Sequence, residues 1–328
     1  MPLLSVIIPI FNSEKYLERC LNSILLQNFQ NYELILIDDG STDCSQQIIY
    51  KYLTKYPQIK YLYQTNSGVS NARNYALEIA SGAYIYFMDS DDYIDDGLFS
   101  NVISLIKKYK YPDMVMFGYK MISEKTGRVI IKKPSKAIKL SKKQFINNFK
   151  LIENDADINS LWNKLYSIKL INDHHLRFSN KQVGEDAIFN YQYFRLMNNV
   201  CLLNHVYYNY TFERSGSAMN MNNPKRIWQK LSVINSYEKM CKYFHIDCKV
   251  EVVSKKINTI YYEIRGITNR TNESRRMRIN EYKQLIKKVR SANILENKDL
   301  LKIRNIKIIL KLFLIKTHWT YFRILIRR

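Results

Sequence analysis

Short, continuous apolar runs alternate with helical patterns along residues 4–88, and this alternation constrains the fold more than any other feature of the chain. Leu4–Ile10, Glu33–Asp38, Ile59–Tyr63 and Tyr84–Met88 are rich in Ile, Leu and Tyr, as in strands buried on both faces. Helical patterns separate them. The alternation predicts an α/β fold in which a mostly parallel sheet is flanked by helices.

Two acidic clusters follow strands of this predicted sheet. Asp38-Asp39 ends the second strand, and Asp89-Ser90-Asp91-Asp92 follows the fourth. Because open parallel sheets bind ligands beyond the carboxyl ends of their strands, we expect both clusters on one edge. Mg²⁺ and Mn²⁺ prefer carboxylate and phosphate oxygens, so the second cluster is a candidate metal site on a diphosphate. Taken alone, it is equally well a solvated acidic turn.

Charge is distributed unevenly along the 328 residues. Residues 1–110 carry a net charge of −3, residues 111–219 carry +7 and residues 220–328 carry +18. The basic final third predicts an anionic partner: a membrane surface, a lipid diphosphate or nucleic acid. The five cysteines form no C-x-x-C pair, which disfavours a zinc site and a disulfide framework. We expect neither a signal peptide nor a transmembrane helix.

The chain beyond residue 110 is expected in two parts. Strand and helix patterns continue to about residue 216, and from about Pro224 the pattern is helical. We therefore expect one domain over residues 1–218, divided near residue 110, and a basic helical region over residues 219–328. Within the first domain, Ser70 is expected to cap a helix that begins at Asn71.

Five motifs stand in a fixed order along the chain. They are Val6–Asn12, Leu36–Asp43, Asn66–Asn74, Phe87–Asp92 and the pair Glu185-Asp186. This series resembles the family 2 inverting glycosyltransferases of the GT-A fold, of the type that builds bacterial surface and capsular polysaccharides. The resemblance covers roughly residues 1–215. It implies a catalytic domain at 1–218, with a nucleotide-binding half at 1–110 and an acceptor half at 111–218.

The resemblance implies how the donor's uracil is held. Pro9 and Phe11 correspond to positions that border the base, and Glu14 to a position near its edge. Asp39 corresponds to the carboxylate that accepts a hydrogen bond from the uracil imide. An ordinary turn at this point is the alternative, with Asp38 or Asp39 as its hydrogen-bonding residue.

The resemblance also implies contacts to the rest of the nucleotide. Asn66 and Arg73 correspond to a polar pair on it, and a guanidinium is well suited to phosphate. Asp91 corresponds to the metal ligand and Asp89 to the ribose contact, with Asp89 a second candidate ligand. Ser90 lies between them at the donor. The fourth residue of the tract stays unassigned.

Inverting transfer needs a base close to the acceptor hydroxyl, and the acidic pair corresponds to that position. We expect Asp186 to be the base and Glu185 to orient it or the acceptor. A pair of acids favoured by the dipole at a helix N-terminus is the alternative. Arg214 and Ser217 resemble a tract near the donor diphosphate. Trp162–Tyr166 resembles a stretch beside the acceptor cleft, unless its tryptophan is a core residue.

Residues 302–328 are basic and apolar and predict an amphipathic helix. Its basic face carries Arg304, Lys307, Lys311 and His318. The apolar residues that fall away from this face are Ile306, Ile309, Leu310 and Phe313. This pattern predicts an interfacial membrane helix. Packing of the apolar stripe on the catalytic domain is the alternative.

Together these features predict an enzyme that moves a sugar from a UDP-sugar to a lipid-linked or polysaccharide acceptor with Mn²⁺ or Mg²⁺. The expected acceptor is a lipid-diphosphate-linked glycan of capsule or exopolysaccharide synthesis. The expected place is cytoplasmic, peripheral on the anionic inner face of the cell membrane. No recognisable nucleic-acid-binding module is present. The transferred sugar, the linkage and the oligomeric state stay open.

Two other classes of protein fit the sequence less well. A nucleotidyltransferase that makes the nucleotide sugar needs a glycine- and lysine-rich phosphate loop after the first strand, and Phe11–Glu14 is not one. A catalytically inactive glycan- or membrane-binding module is the non-enzyme alternative. Against it, every acidic motif position is filled.

Overall fold

A computed structural model describes residues 2–181, 183–213, 226–270, 274–291 and 305–316. The chain divides into two compact units, Met1–Asn222 and Asn223–Arg328. The described part of the first unit is a mixed α/β sheet with flanking helices, and that of the second is helical. The predicted α/β class with a helical C-terminal region is therefore confirmed.

The first half of the sheet is wholly parallel. Its strands are β1 (Leu4–Ile10), β2 (Tyr32–Asp38), β3 (Ile59–Tyr63) and β4 (Tyr84–Phe87), in the order β3-β2-β1-β4. The helices between them are α1 (Leu17–Leu25), α2 (Ser45–Leu53) and α3 (Val69–Ile79). Every residue of β1, β2 and β4 is buried, because helices cover both faces of this half.

Glycines fix two points of this half. Helix α3 begins at Val69 after Gly68, whose φ of 91° is open to glycine and costly for other residues. Ser70 lies inside the first turn and its hydroxyl donates to the Lys181 carbonyl, so the predicted Ser70 cap is wrong. At Gly82, a Cβ atom would lie 2.5 Å from the Ser5 backbone nitrogen, so only glycine lets the chain enter β4 here.

The second half of the sheet is mixed. Its strands are β5 (Tyr93–Ile94), β6 (Met114–Ser123), β7 (Val129–Lys132), β8 (Ile138–Ser141), β9 (Lys164–Ser167) and β10 (Asn199–Phe212). Its helices are α4 (Leu98–Lys108), α5 (Lys142–Asn147), α6 (Phe149–Ala156), α7 (Ile168–Asp173) and α8 (Glu185–Leu196). From β4 the order continues β9-β6-β10-β5, with β7 beside β6 and β8 beside β10. Strand β9 runs antiparallel to both neighbours, while β10 is parallel to β6.

The described helices of the second unit are α9 (Arg226–Tyr243), α10 (Lys249–Asn269), α11 (Arg275–Ser291) and α12 (Ile306–Lys316). Helix α10 packs against the other three and buries Ile257, Ile260 and Ile264. None of the described helices combines the length and the apolar content needed to cross a bilayer. The predicted helix over 302–328 is described only where α12 lies.

Helix α12 turns one lysine inward and apolar residues outward. The Lys311 Nζ donates to Asn258 Oδ1 at 2.6 Å, while Ile315 is buried. Leu310 and Phe313, which the sequence placed on the apolar stripe, are 58% and 61% exposed.

Candidate active site

The carboxyl ends of β1, β2 and β4 meet at one edge of the sheet and carry the predicted donor residues. Pro9 is buried in β1, opposite Ile37 of β2. The Asp39 amide donates to the Ile10 carbonyl at 2.8 Å, which joins the ends of the two strands. The loops that follow these strands therefore start side by side.

Asp39 holds the loop that leads into α3. Its carboxylate accepts hydrogen bonds from Gln64 Nε2 at 2.6 Å, from the Ser67 amide at 2.8 Å and from the Gly68 amide at 2.9 Å. The exposed Asn66 lies in the same loop, and its amide nitrogen would be 2.8 Å from a Cβ at Gly40. Asp39 and Asn66 are thus brought together, as expected of residues at one nucleotide.

Asp38 is fully buried and forms the turn. Its Oδ1 accepts from the Ser41 amide at 2.8 Å, and Tyr61 Oη donates to its other oxygen at 3.3 Å. Asp38 is therefore the turn residue, as in the alternative that the sequence left open.

The β1–α1 loop lies between the two acidic clusters. Phe11 is 45% exposed, and Glu14 accepts a hydrogen bond from the Cys44 amide at 2.9 Å. The hydroxyl oxygens of Ser13 and Ser90 are 2.6 Å apart. The loop is therefore tied to the segment after β2 through Glu14 and to the acidic tract after β4 through Ser13.

The tract after β4 contains three carboxylates whose oxygens lie within 4.8 Å of one another. Asp92 is buried and accepts from Tyr208 Oη at 2.7 Å and from the Thr211 amide at 2.8 Å. Burial raises the pKa of the Asp92 carboxyl well above its ordinary value, and Asp89 adds to the rise. Asp89 and Asp91 are partly exposed. This all-oxygen set fits Mg²⁺ or Mn²⁺, with Asp92 anchoring the tract to β10.

Arg73 joins this tract to the predicted base. Its guanidinium lies 2.6 Å from Asp186, 3.1 Å from Asp89 and 3.3 Å from Glu185, and the residue is 3% exposed. The ring of Phe178 lies 5.4 Å from its Cζ. Burial disfavours the charged guanidinium, but the three carboxylates outweigh it and raise the pKa of Arg73. Arg73, which was predicted to contact the nucleotide, is thus paired with three carboxylates of the protein itself.

Asp186 lies in the first turn of α8, which begins after Gly184 with a φ of 79°. Burial raises the pKa of the Asp186 carboxyl well above its ordinary value. Arg73 opposes that rise, and the charges of Glu185 and Asp89 add to it. A carboxylate with a raised pKa is a stronger base, which suits proton removal from a hydroxyl.

Lys164 was missed by the sequence reasoning. It is fully buried, and its Nζ donates to the Asp157 carbonyl at 2.8 Å, the Ser160 carbonyl at 2.5 Å and Asn163 Oδ1 at 2.7 Å. Burial lowers the pKa of Lys164 to about 7, against the opposing charges of Asp157 and Asp186. Its sequence signal was weak, because Lys164 is the first residue of β9 and follows the polar Asn163. Lys164 fixes the loop that precedes β9.

Trp162, in the same loop, is a packed residue. Its ring stacks on Tyr208 at 4.5 Å and on Tyr210 at 5.7 Å, and it meets the edge of Tyr119 at 4.7 Å. It therefore supports the tyrosine that holds Asp92. Arg214 and Ser217 lie outside the described residues.

Comparison with known proteins identifies the family. A sequence model of glycosyl transferase family 2 matches residues 5–174, and the chain belongs to this family, as predicted. Glycosyltransferase GlyA of Streptococcus pneumoniae serotype 4 is 32% identical over 236 residues, 69% of this chain and 32% of GlyA. The uncharacterized glycosyltransferase EpsJ of Bacillus subtilis is 31% identical over 212 residues, 64% of this chain and 61% of EpsJ.

The fold is also found in a solved structure. Staphylococcus aureus TarS 1–349 in complex with UDP-GlcNAc matches with a TM-score of 0.63 and 24% identity, covering 88% of this chain and 81% of that one. The match confirms the predicted GT-A fold. The chain spans about a third of GlyA and about three fifths of EpsJ.

Proposed function

We propose that the protein transfers a sugar from a UDP-sugar to an acceptor hydroxyl with inversion. The observation that carries this proposal is the bridge made by Arg73, which contacts Asp89 of the acidic tract and Asp186 of α8 together. The tract suits the donor's diphosphate and Asp186 suits a base. One buried guanidinium thus holds a donor-binding group and a proton acceptor in a fixed relation.

The donor's nucleoside is proposed to lie on the loops after β1 and β2. Pro9 and the exposed ring of Phe11 border the uracil, and Glu14 lies near its edge. Asp39 accepts from the uracil imide with a lone pair that its loop bonds leave available. Asn66 adjoins it. The solved complex of TarS with UDP-GlcNAc supports a UDP-sugar as the donor class.

The diphosphate is proposed to lie at the acidic tract. Asp91 and Asp89 would hold Mn²⁺ or Mg²⁺, which when bound neutralises charge on the departing diphosphate. Asp89 also keeps its proposed ribose contact, and Ser90 orients the tract through Ser13. Arg214, outside the described residues, keeps its proposed place at the diphosphate. Arg73 acts on the donor through Asp89.

Asp186 is proposed to remove the proton from the acceptor hydroxyl. Inversion requires this base on the sugar face opposite the leaving diphosphate. Arg73 holds the carboxylate at 2.6 Å, and Glu185 shares the same guanidinium. The contact of Arg73 with Asp186 Oδ1 restricts the rotamer of the base.

The acceptor is proposed to be a lipid-diphosphate-linked or surface glycan of bacterial capsule or exopolysaccharide synthesis, met at the cytoplasmic face of the membrane. Residues 220–328 carry 26 Lys/Arg and 8 Asp/Glu, which favours an anionic surface. Outward-facing Leu310 and Phe313 of α12 support peripheral binding through residues 302–328.

A screen of UDP-sugars by UDP release, with and without Mn²⁺, tests the transfer. We expect Asp91→Ala to lose donor binding with Mn²⁺ and Asp186→Asn to lose turnover while it still binds UDP. Asp173→Asn, at the exposed end of α7, is the matched control. Full activity in Asp186→Asn contradicts the assigned base. UDP binding without turnover on any donor and acceptor favours a binding module, and pyrophosphate release from UTP favours a nucleotidyltransferase.

Membrane binding has a separate test. We expect the Leu310→Ser, Phe313→Ser double variant to bind anionic liposomes more weakly than the wild type. Unchanged binding contradicts an interfacial role for α12.

A further inference from the structure

A basic segment of the first unit has no part in the proposed transfer. Residues 128–143, here the basic segment, contain seven Lys/Arg and no Asp/Glu. They form β7, the turn after it, β8 and the start of α5. Such a run of one charge on a folded surface attracts an anionic partner.

Six of the seven cations of this segment have no carboxylate of the described residues within 4.0 Å. Lys132 donates to the Asn154 carbonyl at 2.7 Å, and Lys139 donates to the Tyr109 carbonyl at 2.8 Å. Other cations of the segment are exposed, with no carboxylate of the described residues within 4.0 Å; these are Arg128, Lys133, Lys136 and Lys143.

Some lysines elsewhere in the same unit are paired with acids. Lys60 lies 2.6 Å from Glu33, and Lys120, on the strand beside β7, lies 2.9 Å from Asp95. Lys169 pairs with Asp173. No such carboxylate partner is described for the six cations of the basic segment.

Aliphatic side chains are exposed among these cations. Val129 and Ile131 occupy alternate positions of β7, so they share one face, and they are 51% and 57% exposed. Leu151 of the adjacent α6 is 52% exposed. It shares a cavity of about 180 Å³ with Lys136 and Ile138, and one acid, Asp155, also lines that cavity. The surface is both cationic and apolar.

We propose that the basic segment, together with Leu151, binds an anionic lipid surface. Phosphate headgroups pair with the uncompensated lysines and Arg128, while Val129, Ile131 and Leu151 enter the boundary between headgroups and acyl chains. The proposal extends membrane association, proposed above for α12, to the catalytic unit, and it does not depend on the transfer chemistry.

Two other occupants fit the surface less well. A soluble polyanion pairs with the lysines but gains nothing from exposed aliphatic side chains. A second copy of the chain pairing along β7, which among the described strands pairs with β6 alone, would bring two sets of seven cations together. Lysines on an edge strand act against such pairing.

The position of the surface suits a membrane-held acceptor. The β6–β7 turn begins at Glu124, whose carboxylate accepts a hydrogen bond from Tyr16 Oη at 3.1 Å. Tyr16 follows the Phe11–Glu14 loop of the donor site. The basic segment therefore starts beside the edge of the sheet where the candidate active site lies.

Sedimentation of the full chain with vesicles tests the proposal. The probes are vesicles of phosphatidylglycerol with phosphatidylcholine, and of phosphatidylcholine alone. We expect Lys133→Glu, Lys136→Glu to lower the partition coefficient on the anionic vesicles about tenfold or more. The matched control is Lys51→Glu, Lys55→Glu, at exposed positions of α2 and of the turn after it. It makes the same change in net charge and should bind nearly as the wild type does.

A second variant separates lipid from other anions. We expect Val129→Ser, Ile131→Ser to weaken binding to the anionic vesicles several-fold, most clearly in high salt, and to leave binding of soluble polyphosphate unchanged. Equal loss in the two charge-reversal variants overturns the proposal, because net charge alone then explains binding. Unchanged vesicle binding in the serine variant overturns it in favour of a soluble polyanion.

Light scattering and UDP release complete the test. A change from dimer to monomer in the serine variant, without a change in vesicle binding, assigns β7 to a contact between copies and overturns the lipid surface. UDP release is measured on the same preparations with the donor alone and with a soluble acceptor. Its absence in the wild type counts against the proposed transfer only, while the vesicle results still decide the lipid surface.

Discussion

The two acidic clusters at the edge of the sheet are held in different ways. Asp39 is bound by backbone amides of Ser67 and Gly68, fewer than 30 residues away and within the nucleotide-binding half. Asp89 is held by the guanidinium of Arg73, which also binds Asp186 on the far half of the domain. One cluster is closed locally, and the other joins the two halves.

This difference indicates a division of roles. The local cluster sets the shape of the loop that is proposed to contact the uracil. A substitution there should therefore weaken donor binding and leave the transfer step intact. The joined cluster sets the distance between the proposed metal site and the proposed base. Damage there should lower turnover, because reacting groups lose their mutual position.

Arg73→Met should give the largest effect. Removing the guanidinium leaves Asp89, Glu185 and Asp186 close together and unpaired, which we expect to cost about 3–5 kcal/mol of unfolding free energy. Turnover should fall about 100-fold or more. Urea unfolding and UDP release measure the two losses. Arg73→Lys keeps the positive charge but not the planar guanidinium that pairs with several carboxylates. Its losses of unfolding free energy and of turnover should both be intermediate. Wild-type turnover in Arg73→Met would show that the halves are held together by other contacts.

The same cluster predicts a pH dependence. Burial raises the pKa of Asp186, so its base form is lost, as pH falls, at a higher pH than for an exposed aspartate. The acid limb of the turnover profile should lie above the ordinary aspartate range. As pH falls, a carboxyl whose folded pKa is raised is protonated in the folded state before it is protonated in the unfolded state. The loss of unfolding free energy in Arg73→Met should therefore become smaller from about pH 8 to about pH 5. A penalty independent of pH contradicts the unpaired-carboxylate explanation.

Asp39→Asn should give a smaller effect of another kind. The amide keeps one acceptor and replaces the other with a donor facing a backbone N–H, at a cost of about 1–3 kcal/mol. We expect the KM for the donor to rise and kcat to stay within about twofold. Asp96→Asn, on the exposed loop before α4, is the control. A fall in kcat equal to that of Arg73→Met would remove the distinction between the two clusters.

The local cluster was the easier one to predict from sequence. Asp39 and its partners lie in two neighbouring motifs, so their meeting follows from strand order alone. The partners of Arg73 are separated from it by up to 113 residues, and the resemblance assigned Arg73 to the nucleotide. Which anions Arg73 meets depends on where the tertiary fold places Glu185 and Asp186 of α8, and no local pattern contains that information.

Two other misses have the same origin. Ser70 has the right residue type for a cap, but Gly68 has the backbone freedom that starts α3 two residues earlier. Lys164 is buried because the loop before β9 turns its carbonyls inward, and that arrangement is a property of tertiary packing. Positions of strands and of the acids at their ends were predictable because burial and chain order determine them.

Tyr208→Phe should give the smallest effect and test the joined cluster most finely. The change removes one hydroxyl, which donates to Asp92 at 2.7 Å, and keeps the ring stacked on Trp162. We expect a loss of about 1 kcal/mol in unfolding free energy. Because Asp92 anchors the tract, the Mn²⁺ concentration for half-maximal UDP release should rise about tenfold, with turnover at saturating Mn²⁺ nearly unchanged.

Tyr210→Phe is the matched control, since Tyr210 stacks on the same tryptophan and donates no described bond to Asp92. An equal shift of the Mn²⁺ curve in both variants would assign the effect to aromatic packing. A shift in Tyr208→Phe alone would show that a bond from β10, outside the nucleotide-binding half, tunes the proposed metal site. Asp92, like Asp89, would then depend on a contact that joins the two halves of the domain.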